Sequence, residues 1–316
     1  MPRPFLSISR RRQSVAPSLR ALGRSAFSHA ARRPLGRLLL AVVAGGLALL
    51  PSCSESSGAT SAPSREQVQR QLDQLIAACT PIDPTSTSDK QDAWFHHQVD
   101  VIEQSRKGSR QLGEAALARF AAGTDTLPDI RATLLDVAAH TAPETTTPVL
   151  EKLIRTYDGE LGLGLRTRAV EFLADVAPQR AIAMYEPFLR DPQPHQTRPS
   201  QEAFVIGWTA AAHKVGLTDA RILCDVAADL KQPPDARYSA ITALGAFGGP
   251  RAVKALQEVL VEASSDGLMR RKATQSLLQI MPKAEFCTLI TRMSENESDP
   301  NFIDFLADML ERNCGQ

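Results

Sequence analysis

Asp235-Ala-Arg237-Tyr-Ser-Ala240-Ile-Thr-Ala243-Leu244-Gly245-Ala-Phe247-Gly248-Gly249-Pro250-Arg-Ala252-Val253-Lys-Ala-Leu256 consists of two apolar-striped segments around a glycine-proline turn. Ala240, Leu244 and Phe247 recur at steps of four and three, so they share one face of a helix. After the turn, Ala252, Val253, Leu256, Val259 and Leu260 form a second stripe of the same period. Gly248-Gly249 suits a helix C-terminus, and Pro250 suits the first turn of the next helix, where a missing N–H costs nothing. Asp235, ahead of the first segment, is placed to cap it and to favour its dipole. The unit is a hairpin of antiparallel helices, in which Ala240 and Ala243 are small enough for close approach.

The same pattern appears four more times. Ile130/Leu134/Val137, Ala169/Leu173/Val176, Phe204/Trp208/Ala211 and Ala273/Leu277/Ile280 repeat it, with starts 39, 35, 36 and 33 residues apart along the chain. Each is followed by a turn and a second amphipathic stretch, such as Phe286/Leu289/Ile290/Met293. One hairpin cannot bury its own stripe, so successive hairpins must stack to make a continuous core. Arg166-Thr-Arg-Ala169 and Arg270-Arg-Lys-Ala273 repeat the opening Arg237-Tyr-Ser-Ala240. This unit resembles a HEAT repeat, especially the short HEAT-like variety also seen in bilin lyases. The resemblance runs from about Leu127 to Met293 and implies an all-α solenoid that presents extended concave faces. It is looser at 200–231, where the turn around Gly216 lacks a proline. Pro187 is expected to kink or shorten its helix. Residues 65–123 share the helical pattern without the motif, as degenerate repeats or a cap, and 124–314 form the solenoid proper. The final helix is expected over Phe302–Glu311.

Composition agrees with this class. The chain is 316 residues long, 43% apolar and 5% aromatic, with no long alternating Val/Ile/Thr runs, which excludes an all-β fold. Its formal net charge of +1 hides an asymmetry. Residues 1–52 hold nine arginines and no acid, leaving 27 basic residues against 35 acidic ones in the rest, a net charge of −8. An acidic body argues against a phosphate-binding surface, so no nucleic-acid partner is expected.

The basic segment reads as an export leader. Leu38–Leu50 (LLLAVVAGGLALL) is uncharged, too short to cross a bilayer as a helix, and preceded by Arg32, Arg33 and Arg37. Leu50-Pro51-Ser52-Cys53 resembles the lipobox of bacterial lipoproteins, although Pro51 is less usual at its place. The resemblance implies that Cys53 is acylated and becomes the mature N-terminus, with several acyl chains giving stable anchorage. Ser54 instead of Asp after the cysteine goes with outer-membrane sorting, facing the periplasm. An ordinary Cys53 after a signal, or a mitochondrial transit peptide over residues 1–37, are the competing readings. Residues 53–64 form a small, polar tether, and Ser64 with Gln67 makes a capping box for the first helix.

Chemistry-bearing clusters are sparse. Adjacent His96 and His97 diverge by about 100° on a helix and cannot share an ion. Asp92, His96, Asp100 and Glu103 share one helix face, a weak metal stripe that would need a partner helix to converge. His140, His195 and His213 lack a nucleophile and acid placed for a triad, and no phosphate-binding glycine loop occurs. Cys287 and Cys314, on neighbouring terminal helices, are candidates for a disulfide, whereas Cys79 and Cys224 lie far apart along the array. The expectation is a lipid-anchored envelope scaffold that binds a protein or peptide, with no catalytic residue and no cofactor. The loops 159–164 and 191–200 are expected edge contacts. An enzyme or small-molecule binder on the same repeats is the alternative.

Overall fold

The computed structural model describes residues 62–156, 162–191, 199–262 and 267–315; Cys53, His195 and the leader lie outside them. Among the described residues there are fourteen α-helices and no strand. They are α1 (Arg65–Cys79), α2 (Ser88–Arg106), α3 (Arg110–Ala122), α4 (Pro128–Thr141), α5 (Pro143–Arg155), α6 (Leu163–Val176) and α7 (Pro178–Leu189). They continue with α8 (Gln201–Lys214), α9 (Arg221–Ala228), α10 (Pro234–Phe247), α11 (Gly249–Val261), α12 (Gly267–Ile280), α13 (Lys283–Asn296) and α14 (Pro300–Cys314). None of these helices is long and apolar enough to cross a membrane.

The helices sort into two rows. Even-numbered helices touch in sequence, α2 on α4, then α6, α8, α10, α12 and α14. Odd-numbered helices pack behind them: α5 on α6, α7 on α8, α11 on α12. The five repeat starts expected from periodicity fall on α4, α6, α8, α10 and α12, so the apolar period and the stack coincide. Their first stripe residues Ala169, Phe204, Ala240 and Ala273 are fully buried. The resulting core is continuous from Val68 to Met309.

Two close approaches explain why small residues recur in the even row. A Cβ on Gly207 would stand 2.7 Å from Val170 Cγ1, so α8 lies against α6 only because that side chain is absent. The Tyr185 hydroxyl donates to Val170 O at 2.7 Å and fixes α7 under the same contact. Between α10 and α12, Ser276 Oγ donates to Ile241 O at 3.0 Å across the helix interface.

Local signals behave as their chemistry requires, with exceptions. Ser64 and Gln67 form the reciprocal capping box. Gly248 and Gly249 take φ of 68° and 83°, which L-residues with a Cβ rarely adopt, and Pro250 sits in the first turn of α11. Asp235 departs from the expectation: it lies inside the first turn of α10 and makes no side-chain cap. It still acts on the dipole there. Pro187 lies within α7, which ends two residues later. The last helix, Pro300–Cys314, extends beyond the expected Phe302–Glu311 at both ends, and its N-cap Asp299 accepts from Asn301 N at 3.0 Å.

Candidate functional site

The Arg-x-x-Ala opening recurs at the start of α6, α10 and α12. Arg166 is 1% exposed at the start of α6. Its Nε donates to Leu153 O at 2.8 Å and its Nη2 to Ile154 O at 2.9 Å, the carbonyls that end α5. Arg237 Nε donates to Ala227 O at the end of α9, and Arg270 Nε to Leu260 O at the end of α11, both at 3.0 Å. In the looser repeat the same place is held by Gln201, whose Nε2 donates to Asp191 O at 2.9 Å after α7. Helix C-termini leave carbonyls without partners, and a guanidinium offers a rigid fork of donors. α6, α8, α10 and α12 therefore each cap the odd helix before them. Arg237 reaches on to Glu262, and Arg270 to Glu297. Arg270 and backbone N–H groups of Ser298 and Asp299 hold the Glu297 carboxyl down at about 2.

A second chain of contacts crosses the even row. Arg106 at the end of α2 grips Asp136 of α4 with Nε and Nη2, the shortest contact being 2.7 Å. His140, one turn further along α4, places Nδ1 at 2.9 Å from Asp136 O and Nε2 at 2.7 Å from Asp175 Oδ2 on α6. Lys214, closing α8, meets the other oxygen of Asp175 and donates to its backbone O at 2.9 Å. Partial burial lowers the Lys214 ammonium pKa from its usual value. Five side chains thus join four consecutive even helices. Asp136 is 5% exposed, and a carboxylate so buried needs its partners. Further along, the joints weaken. Ser239 donates to Glu202 between α10 and α8, and Lys272 stands 5.6 Å over the Tyr238 ring between α12 and α10.

Between these features the even row presents a strip with little charge. Ile206, 44% exposed, stands with exposed Ala210 on α8 and with Thr242 and Ala246 on α10. Lys214, the last member of the charged chain, follows Ala210 by one turn of α8. Another feature is a cleft of about 570 Å³ between the ends of α11 and α13, lined by Val261, Leu289, Met293, Arg292 and the Arg270–Glu297 pair.

The residues singled out by sequence are dispersed. Asp92, His96, Asp100 and Glu103 are all exposed on α2. Among the described residues no three potential ligands stand close enough to hold a metal ion. His213 lies edge-on to the Phe247 ring at 4.7 Å. Cys287 and Cys314 are joined by a disulfide. Cys79 and Cys224 are free and buried, and burial pushes the Cys224 thiol up to about 11, far from a reactive thiolate. Sequence reasoning missed the part played by Arg166, Arg237 and Arg270, although their recurrence was its signal. It had no signal for the Asp136–His140–Asp175 chain, whose members are spaced by helix stacking.

Residues 236–262, covering α10 and α11, match the model of the PBS lyase HEAT-like repeat. Comparison with curated proteins gave no match. Among solved structures, human deoxyhypusine hydroxylase in complex with glycerol aligns at 14% identity and a TM-score of 0.32, over 78% of this chain and 97% of that one.

Proposed function

We propose that this chain is a non-catalytic adaptor of the bacterial cell envelope. In this reading it is anchored through acylated Cys53 to the outer membrane, faces the periplasm, and holds a protein or peptide on its even-helix row. The observation that carries the proposal is the strip of Ile206, Ala210, Thr242 and Ala246 beside the Arg106–Asp136–His140–Asp175–Lys214 chain. An apolar centre with a polar, oriented border is the anatomy of a binding surface. The charged groups on that border are engaged with one another, and none is paired with a nucleophile, which favours recognition over chemistry.

Photocrosslinking residues placed at Ile206 and Ala246 should give a discrete adduct in intact cells, while one at exposed Lys254 of α11 should not. The recovered protein should bind the purified chain and lose binding with Ile206→Asp. Equal labelling from all three positions would remove the even row from consideration. For the anchor, Cys53→Ala should move the protein out of the membrane fraction; unchanged association would overturn it. The cleft beside Arg292 favours a second reading, a small-molecule binder. That reading requires a ligand to co-purify and to be lost with Met293→Trp.

A further inference from the structure

The even row has two ends, and they are finished differently. At one end α14 turns Asp304, Ala307 and Glu311 outward, and none of its large apolar side chains is exposed. That is the polar outer face a terminal repeat needs for solubility. At the other end, among the described residues, α2 packs chiefly on α1 and α4. Its nineteen residues include none that is buried. Phe95, 42% exposed, and Val99, 36% exposed, stand one turn apart along it. Two large apolar side chains at i and i+4 are half of a helix–helix interface.

The charge beside them is one-sided. From Asp92 to Glu103 the helix has three acids, Asp92, Asp100 and Glu103, and no lysine or arginine. All three are exposed, and their carboxylates make no ion pair or hydrogen bond among the described residues. Of the cations on α2, Arg106 is engaged by Asp136, and Lys90, five residues before Phe95, lies about 140° round the helix from it. His96 lies edge-on to Phe95, with ring centroids 6.1 Å apart. A second copy is a poor occupant, because α2 against α2 would bring these carboxylates together, and α14 would bring Asp304 and Glu311 to them.

We propose that the open face of α2, centred on Phe95 and Val99, docks an amphipathic helix of another protein that carries lysine or arginine beside its apolar residues. The inference shares with the adaptor reading only the premise that the chain binds proteins. It uses a different surface. The cations of the incoming helix pair with Asp92, Asp100 and Glu103, and its apolar stripe covers Phe95 and Val99. Charge thus selects the partner, and burial of the two side chains holds it.

The test uses the full chain and two designed helical peptides of about 18 residues, long enough to form several turns. Both carry leucine at i, i+3, i+4 and i+7; one is flanked by lysine and the other by glutamate. Trp94 is the reporter, since the only other tryptophan, Trp208, is 1% exposed. The lysine peptide should bind and shift the emission, and Trp94→Phe should remove the shift but not the binding. Phe95→Asp should weaken binding roughly tenfold or more, as for loss of an anchor residue. Asp100→Lys should weaken the lysine peptide and favour the glutamate one. Phe95 and Asp100 are exposed, and circular dichroism checks that both variants fold. No binding of the lysine peptide would overturn the proposal. So would equal binding of both peptides, or a dimer in sedimentation that Phe95→Asp converts to monomer. Ile206→Asp should leave peptide binding unchanged, so failure at α2 is distinguishable from failure of the even-row strip.

Discussion

The two ends of this helix array solve the same problem in opposite ways. At the C-terminal end α13 and α14 are joined by Cys287–Cys314, and Arg270 lies 4.0 Å over the Phe302 ring while bonding Glu297. The disulfide closes the last hairpin on itself, and the ionic and aromatic contacts of Arg270 hold it to α12. At the N-terminal end α2 is held to the stack chiefly by half-buried side chains such as Val101 and Ile102 and by the Arg106–Asp136 pair. A repeat array must cover its terminal stripe or leave it for something else to cover. The C-terminus takes the first course and α2 the second.

This contrast can be broken by mutation. Arg270→Ala should have the largest effect, about 3–5 kcal/mol of lost stability in a urea titration, because it strands Glu297 and uncaps α11. A loss under 1 kcal/mol would mean that the C-terminal end is not held by its buried arginine. Reduction of Cys287–Cys314 comes next. With a sequence separation of 27, the cross-link should contribute about 3.5 kcal/mol by restricting the unfolded chain. The check is the fall in Tm with dithiothreitol, which should vanish in a Cys287→Ser/Cys314→Ser protein.

At the other end, Arg106→Ala should cost less, about 1–2 kcal/mol, since Asp136 keeps His140 within reach. A loss as large as that of Arg270→Ala would erase the distinction between the ends. The last effect shows only in acid and is the titration of Glu297. Its carboxyl is held at about 2 from an ordinary 4.5, so the folded state gains stability above about pH 4.5. That gain should disappear as pH falls from there through 2. Denaturation followed by circular dichroism should show it as an acid limb that flattens in Glu297→Gln.

Much of the fold was legible before any coordinates. Ala240/Leu244/Phe247 and its four counterparts carry their period in neighbouring residues, and Gly248-Gly249-Pro250 carries its turn in backbone preference. Asp235 misled because its sequence context suits a cap as well as a first turn, and Pro233-Pro234 moved the helix start two residues earlier. The candidate site was hardly legible. Ile206 and Thr242 look like ordinary helix residues, and only the stack shows which face of α8 and α10 stays uncovered.

The amino-acid sequence by itself determined that this protein is helical, hairpin-repeated and acidic after a basic leader, because helix period, turn chemistry and charge are properties of adjacent residues. It also carried the recurrence of Arg166, Arg237 and Arg270 without a reason for it. The tertiary structure decided what those arginines do, which helix each caps, and how Arg106, Asp136, His140, Asp175 and Lys214 join across four helices. The physical reason is distance along the chain. His140 and Asp175 are 35 residues apart, and Lys214 is 39 beyond Asp175. Hydrogen bonds reach about 3 Å, so such groups meet only after the hairpins have stacked.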